Sequence, residues 1–351
     1  MKYLDRFFQP EGWQESDFTN AQGMKIRYGH VEPAGEKQGT VVITTGFADF
    51  VESYFETIHE YLDRGYAVYI MDWAGQGGSE KHWQAGAKTH GVAEHIEDLR
   101  QFREKIVKAE KDKPVIMSTH SMGGQIGLHY LKKHPGDFDF AVMAAPLVDF
   151  DVKGISRSFL KLAFKAATRF GISDKAITGG RKRITRQMVK TRRALKKEDP
   201  IRMDLHKTFL TLNKQLKTED PSFFLIESLF NATTKAQDES FLKGIATPLL
   251  LGIVDQDAAI DNDAVKRAAG LLPNAKLAVI MDATHSLWQE RQQYRQEWWS
   301  HVDSFLKEQH ASFDAQHKSS NDNKKNHGAA LAPPKPPAAG RASSKPKGPA
   351  L

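Results

Sequence analysis

The chain has 351 residues and no cysteine, which excludes a disulfide framework, a thiolate metal site and a cysteine nucleophile. Apolar residues make up 40% and charged residues 26%, the ordinary balance of a soluble globular protein. Lys and Arg number 50 against 43 Asp and Glu, a net charge of +7 that favours anionic partners without choosing among phospholipid, nucleic acid and acidic substrates.

No apolar run approaches the ~20 residues needed to span a bilayer. The opening Met1-Lys2-Tyr3-Leu4-Asp5-Arg6 carries charge where a signal peptide needs an apolar core. The expectation is a cytoplasmic protein, not exported by that route.

The first predicted strand is Gly39 to Thr45, dense in β-branched residues. Glu52 to Arg64 has helical spacing, with Tyr54, Ile58 and Leu62 on one face. Tyr66 to Met71 is the next strand. Val92 to Ala109 is a helix with Ile96, Leu99, Phe102 and Ile106 as its stripe. Pro114 to Thr119 is a strand, followed by a helix from about Met122, and Phe140 to Ala144 is another strand. Alternating strands and helices imply a mainly parallel sheet covered on both faces.

From Leu147 to Lys243 the patterns are helical only, and much of the positive charge lies there, at 181–197. Strands resume at Thr247 to Ile253 and Lys276 to Met281, before a last helix from Gln292 to about Leu306. Beyond lies a segment of Ala, Ser, Lys, Asn and Pro with almost nothing to bury, predicted to be disordered and solubilising, with a basic surface tether as the alternative. The expected division is a core over 1–149, a helical insertion over 150–243, the rest of the core over 244–309 and a tail over 310–351.

Chemistry concentrates in Ser118-Thr119-His120-Ser121-Met122-Gly123-Gly124, between a strand and a helix. A nucleophile elbow, G-x-S-x-G, has that context. Its tight turn exposes the Ser121 hydroxyl, and the Met122 N–H at the helix start can face a developing oxyanion. Thr119 stands where the pattern has glycine, which predicts a more crowded elbow. Of the 14 histidines, His285 has the best context for a base, in a loop after a strand. His120 reads as a packing or hydrogen-bonding residue. The acid that would orient the base is one of Asp255, Asp257 and Asp261, each equally suited to turn or capping chemistry. The chain order Ser, Asp, His is that of the α/β-hydrolase triad.

With these motifs the chain resembles the lysophospholipase and monoacylglycerol lipase group of the α/β-hydrolase superfamily, over roughly Asp17 to Leu306. Asp72-Trp73-Ala74-Gly75-Gln76-Gly77-Gly78-Ser79 resembles the group's D-x-x-G-x-G-x-S loop, and His120 to Gly124 its nucleophile segment. The resemblance implies an α/β-hydrolase fold whose insertion is a cap over the active site. Its anchors, Pro248 and Ile260-Asp261, select Asp257 as the acid with Asp255 as runner-up. Its oxyanion loop corresponds to Thr45-Gly46-Phe47, where relatives carry His-Gly, and makes the Phe47 N–H a donor beside that of Met122.

The expected activity is hydrolysis of lipid-like carboxylic esters, a lysophospholipid or monoacylglycerol, through an acyl-enzyme and without cofactor or metal. Amide or peptide hydrolysis on the same triad is an alternative, and a catalytically silent adaptor is another. Of the insertion residues Phe159, Leu160, Leu162, Phe164, Phe170, Phe209, Leu210, Phe223, Phe224, Leu225, Leu229 and Phe230, most are expected to pack the insertion onto the core, and a subset to line an acyl tunnel as the alternative. The basic clusters read first as a solvated face, with peripheral contact with an anionic membrane or a site for a lysophospholipid phosphate as the alternatives. They lack interleaved aromatics, which argues against nucleic acid, and Gly75-Gln76-Gly77-Gly78 lacks a phosphate-loop lysine.

Overall fold

The computed structural model describes residues 4–86, 88–151, 157–180 and 199–330. The chain divides into two units, Met1–His310 and Ala311–Leu351. The strands of the first unit are β1 (Gln14–Thr19), β2 (Lys25–Val31), β3 (Gly39–Thr44), β4 (Tyr66–Met71), β5 (Val115–His120), β6 (Phe140–Ala144), β7 (Leu249–Gln256) and β8 (Ala275–Thr284). They form one sheet in the order β1-β2-β4-β3-β5-β6-β7-β8. β2 pairs antiparallel with both β1 and β4, and every later pairing is parallel.

The helices are α1 (Phe55–Leu62), α2 (His82–Ala85), α3 (Val92–Lys105), α4 (Met122–Lys133), α5 (Arg157–Arg169), α6 (Pro200–Leu212), α7 (Phe223–Lys235), α8 (Glu239–Lys243), α9 (Asn262–Leu271) and α10 (Gln292–Ala330). Alternate strand residues enter opposite faces of the sheet. Val42, Tyr69, Met117 and Leu251 share one core with Leu99 and Phe102 of α3 and Ile126 of α4. Their neighbours Val41, Ile70, Ile116 and Leu250 are buried too, outside that core. Burial on both faces is why the central strands read as continuous apolar runs.

Sequence reasoning missed β1 and β2. β1 buries only Phe18, so its sequence carries no apolar run. The link between them is an Asn20 turn whose side chain accepts from the Gln22 and Met24 amides at 3.0 and 2.9 Å, with Gly23 at φ +80°.

Between β6 and β7 the described regular elements are helices α5 to α8. The bond from Gln125 Nε2 on α4 to the Leu229 carbonyl on α7, 2.9 Å, joins them to the core. His206 on α6 stacks on Phe50 at 4.8 Å and bonds Ser53 Oγ at 3.1 Å. The basic clusters at 181–197 lie outside the described residues. In the second unit, residues 311–330 are helical where sequence reasoning expects disorder. Ala315, Gln316 and Lys318 favour helix, and the first proline is Pro333; 331–351 lie outside the described residues. Among the described residues, no helix is long and apolar enough to cross a membrane.

Candidate active site

The elbow is formed where β5 turns into α4. Ser121 adopts φ 51° and ψ −115°, a region costing a non-glycine residue on the order of 1–3 kcal/mol. Surrounding bonds hold it there. Its N–H donates to the Ala144 carbonyl at 3.2 Å, and its own carbonyl accepts from Gly124 at 2.9 Å and Leu147 at 3.0 Å.

The glycines after Ser121 are demanded by close approach. A Cβ on Gly123 would lie 2.4 Å from the Thr44 carbonyl oxygen, and one on Gly124 would lie 2.6 Å from Pro146 Cβ. The same spacing explains how Thr119 is tolerated. A Cβ on Gly124 would sit 3.1 Å from Thr119 Oγ1, and one on Gly127 would sit 3.3 Å from its Cγ2. Two bare positions on α4 therefore leave the room that the larger side chain on β5 fills.

His285 follows directly on β8. Its Nε2 is 2.9 Å from Ser121 Oγ and its Nδ1 is 2.8 Å from Asp257 Oδ2. With Nδ1–H donating to the carboxylate, Nε2 is left to accept the Ser121 hydroxyl proton. Asp257 lies in the loop after β7, its side chain fully shielded from solvent. Its other oxygen accepts the Ala259 and Ile260 amides at 2.8 and 3.0 Å. Burial opposes its ionisation, but the His285 ring and these amides outweigh burial and hold its carboxyl below the usual range.

The three aspartates that the sequence left open thus separate by geometry. Asp261 caps α9, accepting from the Asp263 and Ala264 amides. Asp255 accepts from Gln256 Nε2 at 2.8 Å, and only Asp257 meets the His285 ring among them.

The backbone amides of Phe47 and Met122 have no acceptor among the described residues. Neighbouring donors are engaged: Gly46 N–H reaches Asp49 Oδ2 at 3.2 Å and Ala48 N–H reaches Gln76 Oε1 at 2.7 Å. The Asp72 loop is structural. Its carboxylate accepts the Val51 and Gly78 amides at 2.9 and 2.7 Å, with Arg27 Nε at 3.2 Å.

Of the apolar insertion residues, Phe164, Leu225, Leu229 and Phe230 are buried, while Phe159, Leu162 and Phe170 are 64%, 66% and 75% exposed. Phe209 lines a cavity of about 20 Å³ with His206 and Trp288. Phe47 lines one of about 40 Å³ with Gln76, His95 and Thr218. Thr218 and Glu219 are shared with a cleft of about 800 Å³ beside Trp83.

A largely parallel sheet interrupted by helices before its last two strands, with a serine on a strained strand-to-helix turn, defines the α/β-hydrolase fold. Residues 35–292 match the family described as serine aminopeptidase, S33, and the chain belongs to that family. It is 21% identical over 289 residues to a probable lysophospholipase of Haemophilus influenzae, covering 82% of this chain and 90% of that protein. It is 28% identical over 137 residues to a monoacylglycerol lipase of Mycolicibacterium smegmatis, spanning 38% of this chain and less than half, 47%, of the relative. A soluble variant of a Saccharomyces cerevisiae monoglyceride lipase shares the fold with TM-score 0.66 and 18% identity, over 88% of this chain and 98% of that one. A Bacillus coagulans carboxyl esterase does so with TM-score 0.68 and 16% identity, over 86% of this chain and all, 100%, of that one.

Proposed function

We propose that the protein is a serine hydrolase cleaving carboxylic esters of lipid-like substrates, monoacylglycerol or lysophospholipid, through an acyl-enzyme. The observation that carries this reading is the continuous chain of bonds from Asp257 through His285 to Ser121 Oγ, at 2.8 and 2.9 Å. Ser121 attacks the acyl carbonyl as His285 takes its proton. His285 then protonates the leaving alcohol, and Asp257 stabilises the imidazolium between these steps. The amides of Phe47 and Met122 receive the oxyanion, each donor worth about 3 kcal/mol of barrier. Water enters by the reverse proton route and releases the acid.

The helical insertion over 150–243 is read as a cap that decides which acyl groups and alcohols reach Ser121. Peripheral contact with anionic lipid is assigned to α5, where exposed Phe159 and Leu162 stand among Lys161 and Lys165. Lipid-like substrates are favoured by the names of the Haemophilus and Mycolicibacterium relatives. Amide hydrolysis is the second reading, favoured by the aminopeptidase description of the family.

The test is hydrolysis of a panel of monoacylglycerols, lysophospholipids and aryl amides by the full chain and by Ser121→Ala. The reading expects ester turnover that disappears in the variant, and Ser121 labelled by a fluorophosphonate in the parent. Undiminished turnover by Ser121→Ala would overturn it, and faster cleavage of the amides would replace ester by amide hydrolysis.

A further inference from the structure

The residue before the nucleophile takes part in a second carboxylate–imidazole pair, distinct from the one that orients the base. The His120 ring is buried, with its centroid 5.0 Å from that of His285. Its Nε2 lies 3.0 Å from the carbonyl oxygen of His285. A carbonyl only accepts, so Nε2 must carry a hydrogen. Its Nδ1 lies 3.2 Å from Asp49 Oδ2, and that oxygen also accepts Tyr54 O–H at 2.8 Å and Gly46 N–H at 3.2 Å. An oxygen already receiving those two donors has no proton of its own to offer the ring, so Nδ1 donates as well.

Other groups around the pair agree. Burial opposes ionisation of Asp49, but its bond with His120, the charge of the His120 and His206 rings and the Tyr54 hydroxyl together hold its carboxyl below the usual range. Tyr54, Tyr61 and Arg295 line the same small cavity as His120. The Asp49 carboxylate is the anion bonded to the His120 ring, and Arg295 is committed to Glu60 and the Trp288 carbonyl. The packing leaves no slack. A Cβ on Gly46 would lie 2.7 Å from both His120 Nδ1 and Asp49 Oδ2.

We propose that Asp49 and His120 form a carboxylate–imidazolium pair that ties the loop carrying the Phe47 amide to the backbone of His285, with His120 as a positioning residue. The inference rests on the reading of Ser121 as nucleophile and His285 as base. A neutral His120 has one ring hydrogen and must release either the base or the loop. The charged form holds both, so the distance between oxyanion donor and proton acceptor is set by one ring. Misplacement by about 1 Å at such a site costs on the order of 100-fold in rate.

The experiment is ring-nitrogen NMR of the histidine-labelled full chain, with the His120 signals assigned by their loss in His120→Gln. The expected result is two protonated ring nitrogens on His120, reduced to one in the near-isosteric Asp49→Asn. In ester hydrolysis, Asp49→Asn should lower kcat between about 10- and 100-fold while KM stays within about twofold, because the defect is in placement of reacting groups and not in substrate binding. A single protonated nitrogen on His120 in the parent protein would overturn the pairing, a measurement that needs no variant to fold. An unchanged kcat in Asp49→Asn would overturn the positioning role. Ser121→Ala, run alongside, separates these failures from failure of the underlying nucleophile assignment.

Discussion

Arg202 on α6 closes a two-bond fork on Glu56 of α1, with Nε and one terminal nitrogen each 2.7 Å from a carboxylate oxygen. Both side chains are almost wholly removed from water, at 2% and 6% exposure. Arg295 of α10 approaches the same carboxylate at 3.5 Å, and Arg6 also reaches it at 3.5 Å. The insertion is thus fastened to the core by a shared buried anion. Removing one member of such a cluster leaves charge without its partner in a poorly solvated place.

Arg202→Met is therefore expected to destabilise the fold by about 3 kcal/mol, the lower end for a broken buried pair because Arg295 and Arg6 remain beside Glu56. Denaturant unfolding of the variant and parent measures it. A loss below about 1 kcal/mol would mean that the fork contributes no more than a surface ion pair.

The assignment of the acid is tested by two substitutions of equal size. Asp257→Asn is expected to lower kcat about 10,000-fold, since an amide stabilises the wrong tautomer of His285. Asp255→Asn should leave kcat within about twofold, because Asp255 bonds Gln256 and not the base. Steady-state kinetics on one ester substrate decide between them, and the reverse ranking would move the role to Asp255.

At Gly123, an added methyl must displace the backbone of the β3 end, since the nearest atoms are the carbonyl oxygens of Thr44 and Thr45 at 2.4 and 2.7 Å. Gly123→Ala should therefore push the elbow away from the loop that carries Phe47. The expected result is a kcat reduced on the order of 100-fold, with a lowered melting temperature. Circular dichroism on heating and ester hydrolysis check the two effects, and a variant with parental kcat would refute the tight approach.

The acid side of the stability profile follows from Asp49, Asp257 and Glu56, all held below the usual carboxylate range. For each, burial raises the value and its cationic or hydrogen-bonding partners outweigh that: the His120 ring with Tyr54, the His285 ring with two amides, and Arg295 with Arg202. A depressed native value means that the unfolded chain binds protons first as pH falls. Their stabilisation is complete above the ordinary carboxylate value of about 4 and is lost as pH drops below it through the native values. Urea midpoints should fall steeply below about pH 4, and Glu56→Gln should flatten that fall. A midpoint independent of pH in that window would contradict the assignment.

Local pattern was enough for the alternating strands, the helix stripe at Ile96, Leu99 and Phe102, and the elbow around Ser121, because periodicity and turn chemistry are carried by neighbours in the chain. It was not enough for β1, whose outward-facing residues are polar, or for residues 311–330, where helix propensity and absence of proline acted against a composition typical of disorder. The choice among Asp255, Asp257 and Asp261 needed the family's spacing as a guide, and the bond to His285 is a contact across 28 residues. Nothing local signalled Asp49, Tyr54 or Arg202. Asp49 meets His120 across 71 positions and Arg202 meets Glu56 across 146, and bonds so distant in sequence exist only once the chain has folded. The sequence by itself determined the order of elements and the residue types on the loops that meet at Ser121. Tertiary structure decided which carboxylate faces which ring, because burial and distance, which control ionisation and proton position, are properties of packing and not of neighbours along the chain.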